Sequence, residues 1–382
     1  MSLTSIPAVF MRGGTSKALI VQPKDLPSNQ EEWAPLFCAA MGSPDPYGRQ
    51  LDGMGGGISS LSKVCVVGPS SHPEADVDYT FGQVAVKALR VDYQGNCGNM
   101  SAAIGPYAID QGLVTTTTDT TTVRIYNTNT KKIIHSTFST PNGKTQYSGD
   151  LSIPGVGGSG APIKLEFIEP GGATTGKLLP TGNVTDELEI PGLGKLEVSM
   201  IDAANAAVFI RAADIGLTGL ELPEELETQP EILAKLDAIR THASVAMGIA
   251  PDLDTAKTIG IVPFIAFVAP AQDSTTLSGD TITAEDIDVA VRVISSGLPH
   301  RALPLTVSLC TAVAARITGS VVADMLTSSD TNAALRLGMP SGILTVDAAV
   351  VQKDSQWHAQ SGSFYRTSRL LFDGKVWFNK NS

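Results

Sequence analysis

The feature that most constrains this chain is an internal repeat. FMRGGTSKALIVQPKDL, from Phe10, has a counterpart in SMIDAANAAVFIRAADI, from Ser199. SSLSKVCVVG (from Ser59) answers to GIVPFIAFVA (from Gly260), and DVDYTFGQVAV (from Asp76) to DIDVAVRVIS (from Asp286). The segment GNCGNMSAAIGPYAI (from Gly95) matches the helical HRALPLTVSLCTAVAARI (from His300), and TVRIYNTN (from Thr122) matches SGILTVDAAVV (from Ser341). The order is kept while the offset grows from about 189 to about 220 residues, as loop insertions in the second copy require. Two homologous halves follow, 1–190 and 191–382, with a boundary near 185–195. PGVGGSGAP (Pro154–Pro162) reads as a loop inside the first half. A site between such halves is a natural place for a ligand.

Short Val/Ile/Phe-rich runs, among them Ser62–Val67, Thr122–Asn127, Ile133–Phe138 and Gly342–Val351, are punctuated by Gly, Pro, Asn and Asp and read as strands. Helical periodicity is confined to Asn99–Gln111, a broken stretch Pro223–Gly248, and Leu305–Arg316. Strands with few helices give an α+β class. At 42% hydrophobic and 17% charged residues, the 382-residue chain has ample material for a core. Its net charge of -11, with Lys131–Lys132 as the one dibasic pair, speaks against nucleic acid as a partner. No apolar run approaches a membrane span, and MSLTSIPAVFMRGG carries neither a secretory nor a transit signal. Cys38, Cys65, Cys97 and Cys310 are widely spaced, suggesting free thiols in a reducing, cytoplasmic setting. Of the five His, none pair at metal-ligand spacing, so no metal is expected.

Three constellations carry chemistry. In GNCGN, Cys97 lies between Asn96 and Gly98, just before a helix that Asn99 could cap. Amides at such a terminus favour negative charge and hence a thiolate. The bland alternative is a small buried thiol. In DGMGGGISSLSKV, three glycines lead through Ser59, Ser60 and Ser62, candidate substrate contacts, to Lys63 at the start of an apolar strand. Burial there favours the neutral amine, a usable base; otherwise Lys63 snorkels at a strand edge. The repeat puts an apolar PFIAF at the matching place, so the fold itself does not demand the lysine. In MRGGTSK, Arg12, Thr15 and Ser16 around a glycine pair suit a carboxylate cradle or an ordinary hairpin turn. In the second half, Asn205 holds the repeat position of Ser16. His300 and Arg301 precede a helix, and Ser341 and Gly342 open a strand; each is divided between ligand and structure.

Together MRGGTSK, DGMGGGISSLSKV, GNCGN, the HRA–CTAVAARI segment, the PSG strand and YRTSRLLFDGKVW closely resemble the 2-methylaconitate isomerase family, which includes methylitaconate, oxalomesaconate and aconitate isomerases. The resemblance runs from about Phe10 to Phe378. It implies a diaminopimelate-epimerase-like fold: two pseudo-symmetric domains, each a curled, mostly antiparallel sheet around a central helix, with the active site between them. It also implies a cofactor-independent isomerase in which Lys63 and Cys97 move a proton within an unsaturated di- or tricarboxylate. Racemases of the wider superfamily carry one cysteine per domain. Here the second position, near Leu298–Arg301, has none, which disfavours an amino-acid racemase. A non-catalytic carboxylate-binding accessory protein is the remaining alternative. None of these motifs encodes oligomeric state; a homodimer is compatible with them.

Overall fold

Alternation of β-branched and aromatic residues with small or polar ones sets up strands with two distinct faces, and the computed structural model shows what each face meets. It describes residues 3–93, 97–259, 262–295, 297–326 and 333–379. The chain divides into two compact units, Met1–Glu166 with Tyr365–Ser382, and Phe167–Phe364.

In the first unit, β1 (Leu3–Gly13) and β2 (Ser16–Val21) form a hairpin closing at Gly13↔Ser16. β3 (Lys63–Pro69) runs parallel to β2, and β4 (Val77–Val84) antiparallel to β3. The short β5 (Val91–Asp92) folds back on β4. β6 (Thr120–Asn127) lies parallel to β4 and forms a hairpin with β7 (Lys132–Ser139). A terminal strand, Ser368–Asn379, pairs with β1 along its length.

Strand parity sorts the side chains. Ile6, Ala8, Phe10, Leu19, Val21, Val64 and Val66 share one core with Phe37, Cys38, Ala40 and Met41 of helix α1 (Trp33–Met41). Met11, Ala18, Ile20, Cys65 and Val67, also buried, have the opposite parity. On that side lies helix α2 (Gly98–Asp110), with 11 of its 13 residues buried. Its small residues permit close approach: a Cβ on Gly105 would come within 2.5 Å of Ser136 Oγ. Helix α1 ends on Gly42, whose φ of 77° is a left-handed cap that glycine adopts without strain.

The second unit repeats these relationships. β8 (Gly194–Ala203) and β9 (Asn205–Arg211) form a hairpin around Ala204. β10 (Phe264–Pro270) is parallel to β9, and β11 (Val289–Ser295) antiparallel to β10. β12 (Leu335–Met339) is parallel to β11 and forms a hairpin with β13 (Gly342–Lys353). The helix Leu305–Ala315 precedes β12, as α2 precedes β6. Four of the sequence blocks thus fall on equivalent elements. The fifth is displaced by one strand: β12, not the Ser341 segment, holds the parallel position of β6. LRLGM is too short and glycine-broken to stand out as a strand in the sequence.

The single cut at 190 also differs from the observed units. Register from Leu3↔Asn379 to Gly13↔Ser368 ties the end of the chain to its beginning, so the last residues fold with the first unit. Among the described residues, no helix is long and apolar enough to cross a membrane.

Candidate active site

The MRGGTSK turn is shaped by what it presses against. Gly14 sits at φ 51°, and a Cβ there would lie 2.1 Å from Asn99 Oδ1. The Thr15 amide donates to that same oxygen at 3.3 Å. Arg12 uses Nη1 to bond the carbonyls of Gly14 (2.9 Å) and Thr367 (3.0 Å), stapling the turn to the terminal strand. Burial, then the nearby Arg369, lowers its affinity for its proton. Ser16, buried, places Oγ 4.0 Å from Cys97 Sγ. The turn therefore lies directly over the start of α2, and Thr15 is exposed there.

Cys97 is the N-cap residue of α2, half-exposed and extended in backbone conformation. Its carbonyl accepts from the Ser101 amide at 3.0 Å and the Ser101 hydroxyl at 3.2 Å. Its side chain makes no capping bond to the helix it opens. Asn96 lies outside the described residues. Asn99 Oδ1 also faces Arg366 Nε at 3.4 Å, and burial drags the Arg366 guanidinium down to about 10.

Lys63 opens β3 with the parity of Cys65 and Val67, so its side chain shares the α2 face with Ser16. It is buried. Nζ donates to Gln83 Oε1 at 2.5 Å and lies 5.0 Å from the Phe81 ring centroid. Two residues on, with the same parity, is the buried Cys65 thiol. Desolvation pushes it far up; Cys97 adds to that, while the Tyr79 hydroxyl and Lys63 oppose it. Tyr79, fully buried, is itself pushed up by burial and then by Cys65 and Cys97. Amine, two thiols and a phenol thus occupy one face of the first unit.

The preceding loop is built for support. Buried Gln50 donates from Nε2 to Ser43 Oγ and Ser62 Oγ, both at 2.8 Å, and accepts from the Gly57 amide at 3.0 Å. A Cβ on Gly55 would strike Gln50 Oε1 at 2.2 Å, so the triple glycine wraps this amide. Ser62 has no exposed surface and donates to the Val84 carbonyl at 3.0 Å, a structural place and not the ligand contact expected of it. Ser59 and Ser60 remain accessible.

In the second unit, Asn205 Nδ2 donates to Thr306 Oγ1 at 2.8 Å, facing the start of its helix as Ser16 faces α2. That helix is capped by Pro304, and Cys310 lies inside it, its buried thiol donating to the Ile201 carbonyl at 3.4 Å. No second thiol stands at a helix start there. His300 is held toward its neutral form by burial. Arg301 is exposed and paired with Glu224 at 3.0 Å, so the expected carboxylate ligand already has an acidic partner. Ser341 sits in the turn before Gly342, its buried hydroxyl unpartnered in the described structure. Among the described residues, no three His, Cys, Asp or Glu side chains gather as a metal site.

Sequence reasoning missed Gln83 and Arg366. Gln83 becomes visible only once the register opposes it to Lys63; Arg366 stands in a recognised motif, YRTSR, but its burial could not be read.

The chain matches the PrpF protein family over residues 3–379. It is 39% identical over 377 residues to the 3-methylitaconate isomerase of Eubacterium barkeri, covering 98% of this chain and 97% of that protein. It is 38% identical over 382 residues to a 2-methyl-aconitate isomerase of Shewanella oneidensis, covering 97% and 96%. The crystal structure of a methylitaconate-delta-isomerase superposes with a TM-score of 0.93 at 39% identity, over 100% of this chain and 97% of that one. The α+β, diaminopimelate-epimerase-like fold expected from the motifs is the fold observed.

Proposed function

Because the chain belongs to the PrpF protein family, we propose that it moves a proton within an unsaturated tricarboxylic acid, with cis-aconitate and 2-methylaconitate as the first candidates. The chain is an isomerase. Isomerisation leaves atoms and electrons in balance, so no redox equivalent is required. Lys63 takes a proton from the carbon next to a carboxylate. The charge spreads over the double bond and carboxylate, and the proton returns at the far end or after rotation. Cys97 assists as acid or orienting group, and the uncapped amides of α2 stabilise the dienolate.

One observation carries this reading: buried Lys63 lies on the strand face that also carries Ser16, and Ser16 Oγ stands 4.0 Å from the half-exposed Cys97 thiol. The absence of a thiol at the second helix start favours it over a two-cysteine racemase. Four free thiols fit a reducing, cytoplasmic location. The test is incorporation of solvent deuterium into cis-aconitate and 2-methylaconitate. Wild type exchanges and isomerises at least one, Lys63→Ala loses both activities, and Cys97→Ser is strongly impaired. Full activity in Lys63→Ala removes the mechanism.

A further inference from the structure

We propose that Gln83 is the positioning residue for the Lys63 amine, holding it by a neutral acceptor so that it can give up and regain its proton. This rests on Lys63 being the base.

The geometry is over-determined. Lys63 and Gln83 are directly opposed in the antiparallel pairing of β3 and β4, which brings their side chains together. Gln83 Nε2 donates to the carbonyls of Ser59 (3.0 Å) and Ser62 (2.8 Å). Both amide hydrogens are thereby committed to backbone oxygens. The flipped amide would set its carbonyl against two carbonyls and its NH2 against an ammonium. Oε1 is thus fixed toward Nζ, at 2.5 Å. Phe81, two residues earlier on the same face, supplies the second contact.

Both contacts are neutral. Among the described residues Lys63 forms no ion pair: an amide oxygen and an aromatic face are what its charge meets. A carboxylate at position 83 would lock the proton on. An apolar residue would leave a four-carbon chain free to swing and an ammonium without an acceptor. The other titratable groups on this face include, among the described residues, Cys65 on β3, Tyr79 on β4, Asp92 on β5, which opposes Gln83 on the side away from Lys63, Cys97 before α2, and Arg366 beside Asn99. Lys17 points to the opposite face, 5.8 Å from the Phe10 ring centroid.

The test compares Gln83→Glu, Gln83→Leu and Lys63→Ala. The primary readout is the rate of Lys63 acylation by acetic anhydride against pH, followed by peptide mass spectrometry, which needs no substrate. In Gln83→Glu the labelling curve moves to higher pH, by about one unit, or tenfold in rate at fixed pH. In Gln83→Leu it moves the other way. The acid limb of the kcat–pH profile follows in the same opposed directions. A purely structural Gln83 would lower activity in both variants and move neither curve. If Gln83→Leu does not fold, the Gln83→Glu curve alone decides. Unmoved labelling in a folded variant overturns the proposal. Displaced labelling with an active Lys63→Ala keeps the coupling but removes Lys63 as base.

Discussion

Ser16 Oγ stands 4.0 Å from Cys97 Sγ, joining the start of β2 to the residue that caps α2. Ser16 is buried by the very hairpin whose glycines press on Asn99. The thiol is therefore oriented by a hydroxyl that belongs to a different element.

From this contact, Ser16→Ala is expected to lower kcat by about tenfold, equivalent to about 1.4 kcal/mol, the scale of one hydrogen bond to a reacting group. Alanine fits the buried space, so thermal melting should change little. Steady-state kinetics beside a melting curve check this; an unchanged kcat would show that the hydroxyl does not orient the thiol.

Thiol reactivity should be sharply unequal. Cys38, Cys65 and Cys310 are buried and Cys97 alone is half-exposed. Iodoacetamide on the folded protein should alkylate Cys97 first, a bound tricarboxylate should slow that labelling, and Cys97→Ser should abolish the fast phase. Peptide mass spectrometry with time reads the outcome. Equal labelling of all four would contradict the burial.

Gly14→Ala tests the turn. A side chain at φ 51° costs about 1–2 kcal/mol by itself. The added Cβ also meets Asn99 Oδ1 at 2.1 Å. The expected result is a lower melting temperature together with lower kcat, because displacement of Asn99 disturbs the start of α2. An alanine variant as stable and active as wild type would mean the turn does not support the site.

Much of this arrangement was legible before any coordinates. Four repeat blocks fell on equivalent strands and helices because the hydrophobic period of each survived divergence. Lys63 and Cys97 stood out because their neighbours, serines and glycines, are not what a plain strand or helix start needs. What stayed hidden was pairing. Gln83 looks like one polar residue on an alternating strand until register sets it against Lys63. Ser62 looked like an accessible hydroxyl because the buried Gln50 amide that consumes it lies 12 positions away in a loop. The placement of 365–382 with the first unit depends on a strand closing on the beginning of the chain, a contact across more than 350 residues that no local pattern announces.

His300 sets the last expectation. Burial lowers its proton affinity in the folded state, so the unfolded chain binds the proton more readily. When the unfolded state holds more protons, stability rises with pH. The contribution of His300 is therefore fully present above the ordinary histidine range, near pH 6.5, and erodes as pH falls through it. Carboxylates held low by hydrogen bonds, such as Asp76 facing Arg124, lose their contributions only further down, in the acid range. Between pH 7.5 and 5.5, then, wild type should lose melting temperature, and His300→Gln should lose less over the same interval, whatever its absolute stability. Melting curves at four or five pH values suffice. Parallel losses in both proteins would show that the ring is not held neutral by its surroundings.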